Sequence, residues 1–166
     1  MPERHTWIVN SPVLRRALLL TAARERRHGC QVLGIAPLAA RLAGGRATPI
    51  ARTMLPGLVR DCLNDPGLAL GELAPLRALP GFARSLAATL SRLWLAGLSL
   101  EELAQDPARA ARCASLGQIE RRLLARLPRA CLAPPALVGA ALARVDAAPA
   151  LLGPVTLKGV PDVDPV

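Results

Sequence analysis

Aromatic residues are almost absent from this chain of 166 residues, which contains two tryptophans, one phenylalanine and no tyrosine. Single-stranded nucleic acids are commonly bound by aromatic side chains on which successive bases stack. The three aromatic residues, Trp7, Phe82 and Trp94, are too few and too scattered to predict such a platform. Any contact with nucleic acid is therefore expected to go mainly to phosphates and to be independent of base sequence.

Closely spaced metal ligands are lacking too. The four cysteines, Cys30, Cys62, Cys113 and Cys131, show no C-x₂₋₄-C spacing, and neither histidine has a second candidate ligand nearby in the sequence. Each cysteine lies in an apolar run, where we expect it to pack as a small buried side chain. These patterns predict no metal site.

Long apolar segments are missing as well. The chain begins MPERHTW, without the apolar core of a secretory signal behind it. The run ALLLTAA falls short of the about 20 apolar residues needed to cross a bilayer. We therefore expect no membrane contact and a reducing, cytoplasmic location.

A phosphate-binding loop is missing from the place where an α/β domain often carries one. Residues 5–20, HTWIVNSPVLRRALLL, predict a strand, a tight turn and a helix, but the turn is Asn10-Ser11-Pro12. Phosphate loops need glycines for close backbone approach, then a lysine and a hydroxyl for the distal phosphates and Mg²⁺. Pro12 also removes an N–H donor. The sequence therefore predicts no nucleotide cofactor.

No arrangement of side chains predicts catalysis. Asp162 and Asp164 follow the last predicted strand, where a metal-binding carboxylate can lie in α/β proteins, but no third ligand accompanies them, and a solvated loop is the simpler interpretation. The serines have no histidine base in a recognisable motif. Enzymatic activity is left uncertain, and no catalytic, cofactor or metal residue is assigned.

Positive charge is concentrated in the first third of the chain. Residues 1–60 hold ten basic and two acidic side chains, and residues 61–166 hold eleven basic and ten acidic ones. Such a field attracts polyanions, including nucleic acid and acidic membrane surfaces. The alternative is a compositional bias towards arginine, since Lys158 is the only lysine.

A second basic set lies on the long helix predicted to start after Asp106. It could form a basic ridge, or a solvated face paired in part with Asp106 and Glu120, which is the simpler interpretation. The members are Arg109, Arg112, Arg122, Arg126 and Arg129.

The order of segments predicts an α/β fold that is predominantly helical, with a small parallel sheet of about three strands. Residues 7–9 and 30–35 predict two strands joined by one helix, a βαβ start. Residues 153–160 predict a third strand. We expect the α/β start at 1–45, a helical insertion at 46–148 and the returning strand at 149–166. A sheet that stops at its third strand lacks partners on one edge, which suggests the front portion of something longer.

Within the helical region, three local signals are specific. Thr48-Pro49 is expected to cap a helix that Pro56-Gly57 then kinks or splits. Ser99 with Glu102 predicts a capping box, and Asp106 predicts the cap of the long helix. Pro134-Pro135 is expected to start a last helix that runs to about Val145.

Four segments in this order resemble the N-terminal region of AddB-type proteins, the helicase-like and nuclease subunits of bacterial double-strand-break repair, and related PD-(D/E)XK nuclease family proteins. The most specific of them is residues 79–98. In such proteins an inactivated superfamily-1 helicase domain begins with a similar strand and arginine-bearing helix and carries a helical insertion. The segments are TWIVNSPVLRRALLL, QVLGIAPLAARLAGG, PLRALPGFARSLAATLSRLWLAGLSLEELA and PVTLKGVPDVDPV.

The resemblance implies the non-catalytic N-terminal part of a DNA double-strand-break repair helicase/nuclease subunit. Its partners would be the DNA phosphate backbone and a helicase/nuclease partner subunit. The family's nuclease carboxylates and iron–sulfur cysteines belong to a C-terminal domain that these residues do not include, and the Walker lysine of some relatives is missing. Asn10 and Ser11 match the position after the first strand, where helicase-like domains approach DNA; with Arg15 and Arg16 they are the candidate phosphate contacts.

Two alternatives remain open beside this function. One is a stand-alone, non-enzymatic helical protein-interaction module whose small sheet docks on a partner chain. The other is a cryptic NTPase, which would have to bind ATP without a phosphate loop. Salt-dependent binding of DNA favours the repair subunit, whereas salt-insensitive binding of a protein favours the interaction module.

Overall fold

The computed structural model describes residues 4–159. Helices dominate it, and the strands are short. In chain order the elements are β1 (His5–Val9), α1 (Pro12–Arg24), β2 (Cys30–Leu33), α2 (Ile35–Leu42), β3 (Thr48–Pro49), α3 (Leu55–Leu63), a 3₁₀ helix (Gly71–Leu76), α4 (Phe82–Leu95), α5 (Leu100–Leu103), α6 (Pro107–Ala125), β4 (Cys131–Leu132), α7 (Pro134–Leu142), a second 3₁₀ helix (Val145–Ala147), α8 (Ala148–Leu152) and β5 (Val155–Lys158).

The chain divides into two compact units. The first, called the sheet unit, comprises the described residues up to Ala47 and those from Leu137 onward. The second, called the helical unit, is Thr48–Ala136. Helix α7 begins in the helical unit and ends in the sheet unit.

The sheet unit is built on three parallel strands in the order β2-β1-β5. In register, Thr6 pairs with Gln31 on one side and with Val155 on the other. The predicted fold class, a predominantly helical α/β fold with a small parallel sheet and a βαβ start, is confirmed. The predicted return of the chain to the first strand is confirmed too, because β5 pairs with β1.

Strand β1 is the central strand of the sheet, and its last three side chains are apolar. Trp7, Ile8 and Val9 are all buried. Trp7 and Val9 pack with Ala22 of α1, and Leu14 of the same helix packs against this cluster. A buried central strand in a parallel sheet is expected to be a continuous apolar run, as it is here.

Thr6 ties the returning chain to the sheet from inside. Its side chain is completely buried. Its hydroxyl donates to the Leu152 carbonyl at 2.6 Å and accepts a hydrogen bond from the side-chain amide of Gln31. One hydroxyl therefore connects β1, its neighbour β2 and the end of α8.

Gly153 marks the turn from α8 into β5. Its φ is +65°, in the region that favours glycine. A Cβ at this position would overlap the carbonyl oxygen of Arg4. Both conditions require a glycine where the chain re-enters the sheet.

The helical unit has its own core between α3, α4 and α6. Val59, Leu90, Ile119 and Leu123 are completely buried there. Trp94 is buried beside them, and its indole N–H donates to the carboxylate of Glu120. Each unit thus encloses one tryptophan, Trp7 in the sheet unit and Trp94 in the helical unit.

Several local predictions are confirmed. Ser99 and Glu102 form a reciprocal capping box at α5, and the Asp106 side chain accepts from the Ala108 N–H at the start of α6. At α1, Ser11 is the N-cap and Pro12 lies in the first turn.

Other local predictions are wrong. Pro56 does not kink a helix; α3 begins at Leu55, so the missing N–H of Pro56 falls in the first turn, where no helical partner exists. Thr48–Pro49 is not a cap but a short strand that pairs in parallel with Cys131–Leu132. Helix α7 ends at Leu142, earlier than expected, and short helical turns follow.

Candidate functional site

The four residues predicted to contact phosphate line one cavity of the sheet unit. This cavity, of about 370 Å³, lies where β1 ends and α1 begins, and we call it the loop cavity. Its lining residues are Val9, Asn10, Ser11, Pro12, Arg15, Arg16, Leu19, Gly34 and Pro37.

Local chemistry fixes the loop that forms the cavity. Ser11 is extended, and its hydroxyl accepts from the Leu14 N–H at 3.4 Å. Its carbonyl accepts from the Arg15 N–H at 2.9 Å, the first bond of the helix. Pro12 has no N–H to offer. Among the backbone amides of residues 12–14, only that of Val13 has an N–H that takes no part in these hydrogen bonds.

The charge around the loop cavity is positive. Arg15 and Arg16 are exposed, and no acidic residue lines the cavity. Neither arginine forms an ion pair with an acidic residue in the described range. The positive end of the α1 dipole adds to this field. Arg15 and Arg16 are therefore the charged donors of the cavity, and Asn10 and Ser11 are its neutral polar residues.

The same cavity lacks the backbone cradle that a triphosphate needs. Gly34, its one lining glycine, has an ordinary φ of −82°. A Cβ there would meet Pro37 Cδ at 3.6 Å and the Val9 carbonyl oxygen at 3.8 Å, which are ordinary contacts. The site therefore has no position where close backbone approach demands glycine, unlike a phosphate loop.

Two residues at this edge of the sheet were not predicted. Lys158 pairs in register with Val9, so it ends β5 beside the start of the loop cavity. A Cβ on the next residue, Gly159, would meet Leu14 Cδ2 at 2.9 Å and Asn10 Oδ1 at 3.8 Å. The available signal was that the carboxyl ends of parallel strands meet at one edge, where ligands commonly bind.

The predicted ridge on α6 is partly neutralised. Arg122 and Arg126 both bind the carboxylate of Asp65, at 3.2 and 2.9 Å. Arg109 pairs with Asp106 at 3.1 Å, as expected. The expected role of Glu120 is not seen in the described ion pairs, because its carboxylate accepts from Trp94 instead.

The aromatic side chains do not form a stacking surface in the described part of the chain. Trp7 and Trp94 are buried, and Phe82 is half-buried against the helical core. Contacts with bases would have to come from other side chains.

The cysteines show no catalytic environment. Cys62 and Cys113 are buried, while Cys30 and Cys131 are half-buried. Burial raises the pKa of the Cys62 thiol, an effect that the nearby Arg126 opposes. A thiol with a raised pKa is protonated at neutral pH and is a poor nucleophile. Cys62 is therefore a packing residue.

Among residues 4–159 no group of three or more histidine, cysteine, aspartate or glutamate side chains is placed to hold a metal ion. Asp162 and Asp164 lie outside the described residues.

No single helix among residues 4–159 has the length and apolar character to cross a membrane. By length and composition alone, only the bent pair Pro134–Leu142 and Val145–Leu152 could do so.

No protein-family model and no curated protein matches this chain. The resemblance to AddB-type proteins therefore stays a prediction.

Proposed function

We propose that this chain is the non-catalytic N-terminal part of a cytoplasmic DNA double-strand-break repair helicase/nuclease subunit, and that it binds the DNA backbone. The observation that carries the proposal is the loop cavity. Asn10, Ser11, Arg15 and Arg16 line it together, and no acidic residue does. Asn10 and Ser11 are at the position that the family resemblance implies for contact with DNA, and Arg15 and Arg16 follow them on α1.

The chemistry of the loop cavity supports a phosphate of the DNA backbone as its ligand. Guanidinium groups bind phosphate oxygens in a planar, two-pronged geometry, and Ser11 and Asn10 offer further polar groups. A phosphodiester carries one negative charge, which a small set of donors can satisfy. Binding of this kind positions a protein on DNA without reading its sequence.

Nucleotide hydrolysis is less well supported by the same geometry. Pro12 removes one amide, and no glycine of the cavity provides close backbone approach. The cavity also lacks a lysine among its lining residues. A scaffold that keeps the strand, turn and helix without these groups fits an inactivated helicase-like domain.

The second candidate function, an interaction module, is favoured by the edge of the sheet. Strand β5 has a pairing partner on one side only within the described residues. Val155 and Leu157 lie on the same face of the sheet as Thr6 and Ile8, their register partners, and Leu157 is 61% exposed. An exposed apolar edge strand is a common surface for another chain. Within the main proposal, this surface would serve subunit assembly.

The test is binding of a fluorescein-labelled DNA duplex, followed by anisotropy at NaCl concentrations from about 50 to about 300 mM. Arg15→Glu combined with Arg16→Glu should weaken binding and lower the slope of log K against log salt by about 2, because each lost phosphate contact removes about 0.9. The matched control is Arg41→Glu with Arg46→Glu, two exposed arginines of the sheet unit that do not line the cavity.

The control should keep the slope of the wild-type protein, although it carries the same change in net charge. If the Arg15/Arg16 variant keeps that slope as well, the loop cavity does not hold DNA. If the wild-type protein binds no duplex but binds a protein partner without salt dependence, the interaction module is the better function.

A further inference from the structure

A second basic surface lies in the helical unit and shares no residue with the loop cavity. Two adjoining cavities, of about 580 and about 370 Å³, follow helices α3 and α4. We call them together the arginine groove. Its basic side chains are Arg52, Arg60, Arg77, Arg84 and Arg92.

The two cavities lie side by side. Pro56 and Arg84 line both of them. Arg60 and Arg77 belong to the larger cavity, and Arg92 belongs to the smaller. The groove is therefore a track with basic side chains along its length, rather than one enclosed pocket.

Helix packing creates this track from residues far apart in the sequence. Helices α3 and α4 pack through buried residues such as Val59, Leu86 and Leu90, which directs the exposed arginines outward. Arg84 and Arg92 are eight residues apart on α4, so about 12 Å of helix separates them. The guanidinium of Arg77 donates to the Asp65 carbonyl at 3.4 Å, which holds it near the end of α3.

The arginines of the groove are not neutralised by neighbouring acids in the described part of the chain. No acidic residue lines either cavity, and none of the ion pairs involves a groove arginine. Asp65 is already bound by Arg122 and Arg126 through its carboxylate. Like charges held close together repel one another, and a bound polyanion offsets that repulsion.

We propose that the arginine groove binds the phosphodiester backbone of a nucleic-acid strand. A row of guanidinium groups along two adjoining cavities fits repeating phosphates better than it fits a single small anion. Thr53, Asn64 and Ser91 also line it and add neutral donors for phosphate oxygens. No aromatic residue lines either cavity, so the groove contacts the backbone and not the bases.

This site shares its ligand class with the proposed function, and in that respect rests on it. Its residues belong to the helical unit, whereas the loop cavity belongs to the sheet unit. Variants of one site therefore leave the other intact. The two proposals can fail separately.

The full chain is titrated with a fluorescein-labelled oligothymidylate and with a duplex of the same length. In the triple variant Arg60→Gln, Arg77→Gln and Arg84→Gln, the salt slope should fall by about 2 for the single strand and by about 3 for the duplex. Affinity at low salt should fall at least about tenfold. At one fixed salt concentration, a larger loss of affinity for one of the two ligands identifies which form of DNA the groove binds.

The control variant removes the same charge elsewhere in the helical unit. Arg112→Gln, Arg121→Gln and Arg129→Gln change three exposed arginines that line neither cavity of the groove. The control should lose less than about twofold in affinity and keep its salt slope. If the groove variant behaves like this control, the proposal is overturned.

A single substitution and an acidic peptide distinguish phosphate binding from misfolding and from binding of an acidic protein. Arg84→Gln alone changes only the arginine shared by both cavities, and it should lower the slope by about 0.7 to 0.9 even if the triple variant does not fold. A labelled polyglutamate peptide tests for an acidic protein as the partner. If polyglutamate binds as tightly as DNA and loses affinity equally in the groove variant, the assignment to nucleic acid is overturned.

Discussion

Thr6→Val should destabilise the sheet unit by about 2–4 kcal/mol, although valine has nearly the same shape. The Thr6 hydroxyl donates to the Leu152 carbonyl and accepts from Gln31, and the side chain is 0% exposed. Valine removes both bonds at once. The substitution therefore tests whether one buried hydroxyl holds the returning chain against β1.

The magnitude follows from the surroundings of the two partners. Leu152 is buried, so its carbonyl loses a partner out of reach of water, at a cost of about 1–3 kcal/mol. Gln31 is only half-buried, so its amide can turn to solvent and the loss is about 1 kcal/mol. Thr6→Ser keeps the hydroxyl and loses one buried methyl group, which costs about 1 kcal/mol.

Urea unfolding followed by tryptophan fluorescence measures this difference. In a Trp94→Phe background, Trp7 is the remaining tryptophan and lies in the sheet unit, so its emission reports that unit. Thr6→Val should unfold at lower urea than Thr6→Ser, which should be about 1 kcal/mol less stable than the parent. If Thr6→Val is within about 0.5 kcal/mol of the parent, or is the more stable of the two, the hydroxyl does not hold the two segments together.

Five other substitutions have measurable consequences. Gly153→Ala should lower the melting temperature, because the new Cβ would overlap a backbone carbonyl and the φ of +65° disfavours alanine. Gly117→Ala, which has open space around it in α6, should instead stabilise the protein by about 0.5–1 kcal/mol. Equal changes of melting temperature in the two variants would contradict this. Leu90→Ala, in the helical core, should cost about 2–5 kcal/mol, and Leu95→Ala, 65% exposed, less than about 0.5 kcal/mol in chemical unfolding. Burial raises the pKa of the Cys62 thiol in the folded protein, so as pH rises the thiol is deprotonated in the unfolded chain before it is in the folded one. The folded state therefore loses stability between the ordinary thiol pKa and the raised pKa of Cys62. Cys62→Ala should reduce the fall in melting temperature that accompanies the rise in pH. Reaction of Cys62 with a thiol reagent in the folded wild-type protein would contradict its burial.

The sheet could be predicted because its signals are local and strong. The apolar run at Trp7 and the cap at Ser11 followed by Pro12 define β1 and α1 almost unaided. The third strand was predicted from the short apolar segment at residues 153–160, and β5 lies within it. The pairing of Thr48–Pro49 with Cys131–Leu132 could not be predicted, because two residues carry no periodicity.

The loop cavity could be predicted from the sequence, whereas the arginine groove could not. Asn10, Ser11, Arg15 and Arg16 are neighbours in the sequence, so one turn and one helix bring them to one cavity. The arginine groove joins residues on α3, on α4 and in the segment before α4. Only the packing of the helices brings these side chains together, and no spacing in the sequence records it.

The parallel pairing of β3 with β4 has a consequence for the history of the chain. Thr48 lies opposite Cys131, so the first and last segments of the helical unit are hydrogen-bonded side by side. A module whose ends lie close together can be gained by a single genetic insertion, or lost by a single deletion, without changing how the strands of the sheet unit pair. Evolution could therefore exchange the helical unit as one piece, with its arginine groove, while β1 and β5 keep their pairing.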